Sequence, residues 1–386
     1  MKHENILRVP ASRPAATAGW SRRDFLRFLS VTTGAGAVSG LLGGCSPGLN
    51  TATGQPGLRT ALAWIRNIEY AGLWVALENG FYDEEAVVPQ FLDGGPNAPM
   101  PTVAVAARDA QIGFDNDLRH FMDAVLNGND LVLLGAQYQR SPAAVLSLAS
   151  KPVHTPEDLV GIRFLGQEGT QINLDAVLTI AGLPLEYEFV PAGYAVDPLV
   201  EGQGSAYACF AVNQPITLQM RYGMQEGRDY VVTPWSELGL PGYANMLFAP
   251  RQIVLAQFDA LVGFMRATIR GWQLANSDPL GTARLVVEKY GADLGLELNQ
   301  QQRQCELQVP FMRSHLTDSK GLFWVDADTL GGTMYSALRA TGRDRLPDPS
   351  SIIETSVLAA AYAAGSTGPL MQAPTVRTSF HPQNRP

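Results

Sequence analysis

The sequence is poor in cysteine, with three in 386 residues. That scarcity excludes a small scaffold stapled by disulfides. Cys45 lies near the N-terminus, Cys209 in the apolar run 206–212 and Cys305 in a helical segment. Nothing in the spacing pairs Cys209 with Cys305, so buried free thiols are expected over a bridge. The five histidines are scattered, and no Cys/His group has zinc-like spacing. Neither a metal nor a cofactor is expected. Basic residues are also in deficit, 28 against 36 acidic ones, for a net charge of −8. There is no basic patch of the kind that nucleic acid requires. No Gly-Lys-Ser/Thr follows a glycine loop, no repeat is visible, and no carboxylate pair or Ser/His/Asp set can be singled out, so no catalytic residue is assigned. What remains is an ordinary globular composition, 46% hydrophobic and 17% charged.

Long apolar runs are missing as well. The one near the N-terminus, 28–44, is short and loaded with Gly, Ser and Thr, whereas a membrane span needs about 20 mostly apolar residues. It reads as a signal-peptide core. Ahead of it, Ser21-Arg22-Arg23-Asp24-Phe25-Leu26-Arg27 matches the twin-arginine export pattern, an address read by a receptor. Behind it, Leu42-Gly43-Gly44-Cys45 resembles a lipobox, in which small residues admit the signal peptidase and the Cys45 thiol takes the lipid. Either motif alone is weak, but both in order across an apolar run make a strong signal. Residues 1–44 are therefore expected to be a signal peptide and 45–57 a flexible tether rich in Ser, Gly, Pro and Thr. The expected location is the extracytoplasmic face of the membrane, reached through the twin-arginine pathway and held by lipid.

The mature chain of about 340 residues is long enough for two lobes. It alternates strand-like and helix-like segments. The first set has strands near 60–64, 87–92, 111–114 and 131–136, with a helix that Asn67 can cap and Gly80 can stop. The second set has strands near 143–148, 161–165, 186–190, 206–212 and 230–233, with a helix opened by Gly166 to Thr170 and ended at Gly182. From Gln252 the chain reads as helical: 253–276, 281–290, 300–311 and 328–341. Repeated strand–helix units imply α/β lobes with mostly parallel sheets. The expected fold is two-lobed α/β, of the type II periplasmic-binding-protein kind, with two chain crossings at a hinge. Lobe one would hold 57–141 and 246–345, lobe two 142–245, and 346–386 would be a C-terminal extension ending in disorder.

The segment Trp64-Ile65-Arg66-Asn67-Ile68-Glu69-Tyr70-Ala71-Gly72-Leu73-Trp74-Val75-Ala76, continued to Gly80-Phe81-Tyr82, resembles the opening of the NMT1/THI5-like substrate-binding proteins. That pattern is roughly Trp-x-Pro-Asn, then Gly-x-Tyr-Val-Ala and Lys-Gly-Tyr-Phe. Arg66 stands where proline is usual, and Trp74 where tyrosine is usual. The strand at 87–92, the segment 105–116 and His154 to Gly161 fit the same order. The resemblance covers about 58–275. It implies a binding protein that serves an ABC permease and its cytoplasmic ATPase. Ligands across the family include thiamine-precursor pyrimidines, riboflavin, nitrate, taurine and alkanesulfonates, and the Trp-x-x-Asn opening is most similar to the pyrimidine and flavin branch. One branch is an enzyme of pyrimidine metabolism with a run of cysteines. Here only Cys209-Phe210 stands in the comparable place.

Ligands of open α/β sheets bind beyond the carboxyl ends of strands, and the candidate contacts are taken from there. Trp64 and Tyr70 suit a stacking wall, or equally core packing. Asn67 serves a ligand, its helix, or both. Asp115 and Asn116 follow a strand directly, as a cleft-facing pair or as a turn. Gln137 and Tyr138 sit at the presumed crossing. Gln167, Gly169 and Thr170 lie in a helix-start loop that resembles an anion site. Asn213 ends a strand, and Trp235 and Tyr243 flank a glycine turn as a rim or as surface aromatics. Amides among aromatics suit a flat ring with hydrogen-bonding edges, whereas a sulfonate or nitrate would need concentrated cations, for which Arg66, Arg140 and Arg163 are the nearest supply.

Overall fold

The computed structural model describes residues 57–95, 97–167 and 169–363, all within the unit Gly48–Pro386. Arg22, Arg23, Cys45, most of the expected tether and the last 23 residues lie outside the described residues.

Ten strands form two five-stranded sheets. The first contains β1 (Gly57–Leu62), β2 (Val88–Leu92), β3 (Ile112–Asp115), β4 (Leu131–Tyr138) and β10 (Ala244–Pro250), in the order β2-β1-β3-β10-β4. The second contains β5 (Ala143–Leu148), β6 (Arg163–Gly166), β7 (Glu188–Pro191), β8 (Ala206–Phe210) and β9 (Tyr230–Pro234), in the order β7-β6-β8-β5-β9. The chain crosses from lobe one to lobe two between β4 and β5, and returns between β9 and β10. The two crossings are joined, since Ser141 N donates to Gly242 O at 3.0 Å.

The helices used below are α1 (Ala71–Glu78), α2 (Leu118–Leu126), α3 (Gln171–Ile180), α4 (Gln214–Tyr222), α5 (Phe258–Ser277), α6 (Leu298–Met312) and α7 (Ser356–Ala363).

The sheets are mixed, not mostly parallel. β1 runs parallel to β2 and β3, but β10 is antiparallel to both β3 and β4. In lobe two β6 is parallel to β7 and β8, while β5 is antiparallel to β8 and β9. In lobe one the difference comes from β10, which the sequence pattern does not announce, and in lobe two from β5. Residues 244–249 are all buried, so the run shows none of the alternation that marks a half-buried strand.

The return segment also departs from a single helix over 253–276. Gln257 has non-helical angles (φ −131°, ψ 33°), which splits it into Arg251–Ala256 and α5. The helix expected at 281–290 starts at Pro279, capped by the Asp278 carboxylate on Gly281 N at 2.9 Å, and ends in a wider turn at 286–290. Residues 349–363 pack on lobe one: Ile352, Val357, Leu358 and Ala361 are buried, and Ile353 bridges to Leu133.

Helices α1 and α5 cross almost backbone to backbone. A Cβ on Gly271 would sit 2.0 Å from the Gly72 carbonyl oxygen, and one on Gly72 would sit 2.2 Å from the Trp272 ring. Only glycine permits that approach. Trp272 and Trp74 are consequently sealed in the core of lobe one. Cys209 and Cys305 are both buried and free.

Candidate ligand-binding site

Trp64, Asn67 and Glu69 follow β1, and Asn116 and Asp117 follow β3. Opposite them, Gln167 follows β6, Phe210 ends β8 and Asn213 follows it. These strand ends face one another across a cavity of about 410 Å³. A third wall is α6, which presents Gln300, Gln301 and Gln304. The volume lies in the range of small-molecule sites.

The turn after β1 builds the floor. Asn67 Oδ1 accepts from Glu69 N at 2.9 Å, so the residue caps its short helix as well as lining the cavity. Its carbonyl accepts from Trp74 Nε1 at 2.9 Å, and Gln301 Oε1 accepts from Ile68 N at 2.9 Å. Gln137 Nε2 donates to the Glu69 carbonyl at 2.8 Å. The floor is thereby tied to α1, α6 and β4 at once.

The charged groups are concentrated on lobe one. Glu69 is 3% exposed, and burial lifts its carboxyl from 4.5 to about 7. Asn245 lies close enough to moderate the rise, yet Glu69 Oε1 has no hydrogen-bond partner, and neither side-chain amide atom of Asn245 has one. Burial alone would also raise Asp117, but the adjoining Arg119 guanidinium outweighs it and holds the carboxyl at about 2. For His120, burial would lower the imidazole. The bond from Nδ1 to Asp115 Oδ1 at 3.1 Å and the charges of Asp115 and Asp117 reverse this and lift it to about 9.

Lobe two supplies neutral groups. Gln167 Nε2 donates to Tyr207 Oη at 2.8 Å, which in turn donates to Gly193 O at 2.6 Å. Trp235 lines the cavity while packing on Phe164 at 6.0 Å between centroids. Cys209 lines it too, but burial holds its thiol proton well above the ordinary range.

Three contacts span the cleft. The rings of Trp64 and Tyr194 meet edge to face with centroids 4.3 Å apart. Asn213 Nδ2 donates to Gln304 Oε1 at 2.7 Å. Arg119 donates to Ile172 O at 3.1 Å and also bonds the Asn173 side chain on α3.

Of the residues named from sequence, Trp64, Asn67, Asn116, Gln167, Gly169, Thr170, Asn213 and Trp235 line this cavity. The others do not. Tyr70 is fully buried against Phe114 at 5.9 Å, and Tyr138 donates to Gln308 Oε1 at 2.8 Å inside the core. Asp115 stands behind the wall as the partner of His120, and Gln137 holds the floor. Tyr243 lines an adjoining pocket of about 60 Å³ at the crossing. The loop before α3 spends one of its N–H groups internally, from Thr170 to Gln167 O at 3.0 Å. Glu69, Asp117, His120, Tyr194 and the α6 glutamines line the cavity without having been named. A glutamine at 300, 301 and 304 is the one signal available, three amides sharing a helical face.

A family model described as NMT1/THI5 like matches residues 67–281, over half of the chain. The chain belongs to the NMT1/THI5-like family. Within reach of this NMT1/THI5-like chain is the formylaminopyrimidine-binding protein of Halalkalibacterium halodurans, 26% identical over 243 residues, which are 59% of this chain and 71% of that protein. The 4-amino-5-hydroxymethyl-2-methylpyrimidine phosphate synthase of Legionella pneumophila is 25% identical over 223 residues, 56% of this chain and 69% of that one. Among solved structures, the alkanesulfonate-binding protein SsuA from Xanthomonas axonopodis pv. citri bound to MOPS superposes with a TM-score of 0.56. It is 16% identical and the match covers 78% of this chain and 98% of that chain, a likeness of fold. The two-lobed α/β architecture is thus that of periplasmic binding proteins.

Proposed function

We propose that this chain is the solute-binding component of an ABC importer, tethered outside the cell by lipid on Cys45 after twin-arginine export, and that its solute is a neutral or weakly basic heteroaromatic of the aminopyrimidine class. The observation that carries the reading is the composition of the cavity wall. It combines an aromatic mouth with nine amide side chains, among them Asn67, Asn116, Gln167, Asn213, Gln300 and Gln304, and among its lining residues there is no lysine or arginine. Such a wall suits a flat ring with donors and acceptors on its edge and is a poor host for an anion, since its one cationic side chain, His120, is already paired with Asp115 and flanked by Asp117.

The arginines that could have served an anion are engaged elsewhere. Arg66 pairs with Asp93 at 3.1 Å and Asp293 at 2.9 Å, Arg163 pairs with Glu188 at 3.3 Å, and Arg140 lies over Phe311 at 5.6 Å. This weighs against nitrate, taurine or a sulfonate as the solute. The relative named for formylaminopyrimidine points the same way.

The mechanism is closure. A solute fills the cavity, the lobes swing together through the paired crossings, and the closed face is presented to a permease. Catalysis is not part of the reading, because the one cysteine on the wall keeps its proton. The test is calorimetry of the purified protein against aminopyrimidines, riboflavin, taurine and alkanesulfonates, with the recovered solute checked for change. Stoichiometric binding of an unchanged aminopyrimidine is expected. Binding of sulfonates alone overturns the reading, and sustained turnover replaces it with the exported pyrimidine enzyme. For the anchor, Cys45→Ser is expected to move the exported protein from membrane to soluble fraction, and retention in the membrane fraction sinks that part.

A further inference from the structure

We propose that Glu69 is the specificity-determining residue of the cavity: its carboxyl group takes the amidine edge of the solute, a ring nitrogen beside an exocyclic amine, and the pair holds a single shared proton. This deepens the function proposed above and rests on it.

The geometry is that of an unfinished hydrogen-bond pattern. Glu69 contributes to the cavity wall, is 3% exposed, and carries an oxygen with no partner in a site otherwise rich in amides. Buried acceptors are rarely left unpaired, and each one so left costs free energy that a ligand can recover. Its backbone, in contrast, is fully committed, donating to Asn67 and accepting from Gln137, so the residue is held in place at the cavity wall. Nearby Asn245, buried and with φ at +47°, lies outside the cavity lining and is the side chain that moderates the rise of the Glu69 carboxyl.

The chemistry follows from the charge state. A carboxyl group meets an amidine edge through two hydrogen bonds, one donated by the amine and one shared between the ring nitrogen and an oxygen. The second needs a proton, on either partner. Without it, an anionic oxygen faces a nitrogen lone pair, and the pair repels. When both partners start without a proton, binding takes one from solvent. When both start protonated, binding releases one.

Other ionisable groups face this site. From the same turn comes Tyr70, and from β4 comes Tyr138, both phenols pushed up by burial and by Glu69 itself. From α2 and the turn before it come His120, near 9, and Asp117, near 2, with Arg119 paired to the latter and Asp115 behind. Glu297 lies at the start of α6, and the Cys209 thiol faces from β8. Of those with resolved shifts, His120, near 9, is the nearest to the range of the experiment, and a His120→Asn variant separates its proton from that of Glu69.

The experiment is calorimetry of the whole chain with 4-amino-5-hydroxymethyl-2-methylpyrimidine as probe, at pH 6 to 8.5, in phosphate and in Tris. Wild type is expected to take up close to one proton per ligand at pH 8 and to weaken about tenfold per unit above the carboxyl's titration. Glu69→Gln, whose amide offers a donor and an acceptor without a proton to share, should still bind within about tenfold of wild type at pH 7 but show no uptake and no slope. An analogue with hydrogen in place of the amine should lose at least tenfold on wild type. Unchanged proton uptake in Glu69→Gln, or equal binding by the analogue, overturns the assignment of Glu69. Failure of the probe to bind wild type at any pH overturns instead the aminopyrimidine reading on which this rests. Circular dichroism of Glu69→Gln guards against misfolding, and if that variant does not fold, the proton count and the analogue comparison on wild type still decide the proposal.

Discussion

Lobe one brings Glu69, Asp117 and His120 to the cavity, three groups whose charge is set by their neighbours, on a floor pinned to α1, α6 and β4. Lobe two brings Gln167, Tyr194, Asn213 and Trp235, which carry no charge at neutral pH. Two glycine positions differ in the same sense. In lobe one two helices touch at Gly72 and Gly271 with no room for a methyl group, whereas Gly193 of lobe two, beside Tyr194, has nothing within 4 Å of where its Cβ would be. One half of the site is built in advance and reads charge. The other half is a lighter cover that completes the shape. Such a division lets the solute dock first on a preorganised surface, at little ordering cost, before closure.

The contrast is most easily broken at the helix crossing. Gly271→Ala places a Cβ against backbone, which cannot yield as a side-chain tip can, and should cost about 3 kcal/mol in urea unfolding. Gly193→Ala should stay within about 0.5 kcal/mol of wild type. Equal losses would mean that the α1–α5 crossing and the Gly193 loop are packed alike.

Next comes the titration of the floor. The Glu69 carboxyl is held near 7 in the native chain against 4.5 ordinarily. As pH rises from 4.5, the unfolded chain gives up its proton first, so native stability should fall until pH passes about 7. The loss is about 3 kcal/mol at full extent, and Glu69→Gln should flatten that limb of the stability curve. His120 has the same sign at higher pH, with stability complete below 6.5 and lost as pH rises through about 9. Chemical denaturation at several pH values reads both. No variant among the neutral residues of lobe two should alter either limb.

Smaller effects separate the two sides of the mouth. Trp64→Ala should weaken the solute about tenfold, since stacking is worth roughly 0.5–1.5 kcal/mol beyond area and about 1.4 kcal/mol is a decade. Tyr194→Ala should cost about threefold, mostly in release rate, and titration calorimetry with stopped-flow release distinguishes them. Asn213→Ala removes the 2.7 Å bond to Gln304 and should cost about 1 kcal/mol of closure, seen as release several-fold faster with an unchanged entry rate.

Much of this was open to a reader of the sequence. Asn67 follows a strand and precedes an apolar helical stripe, which is a cap signature, and it caps. Polar residues directly after strands converge because parallel strands deliver their carboxyl ends to one edge, and that rule brought together Trp64, Asn67, Asn116, Gln167 and Asn213. It failed for Tyr70 and Tyr138, since an aromatic at a strand end obeys the nearest apolar surface, here Phe114 and the α6 side of the core. The α6 glutamines lie more than 230 residues from the floor they join, and no local pattern tells a cavity-facing amide from a solvated one. In the sequence Glu69 has only the place of an acid in the first turn after the Asn67 cap. Its burial is a product of β4, β10 and α6 closing over it, which is a tertiary fact.

The edge contact between Trp64 and Tyr194 also turns the mouth into an optical instrument. An indole emits according to the polarity and the quenchers around it, and this one is half-buried at the seam, with one ring of the opposite lobe as its neighbour. Exchange of that ring for a solute, or its departure when the lobes part, alters the light that Trp64 returns, with Trp235 on the opposite wall adding to the change, while Trp74 and Trp272, sealed beneath in the same lobe, supply a constant background. The chain thus carries its own reporter of occupancy, readable without a label.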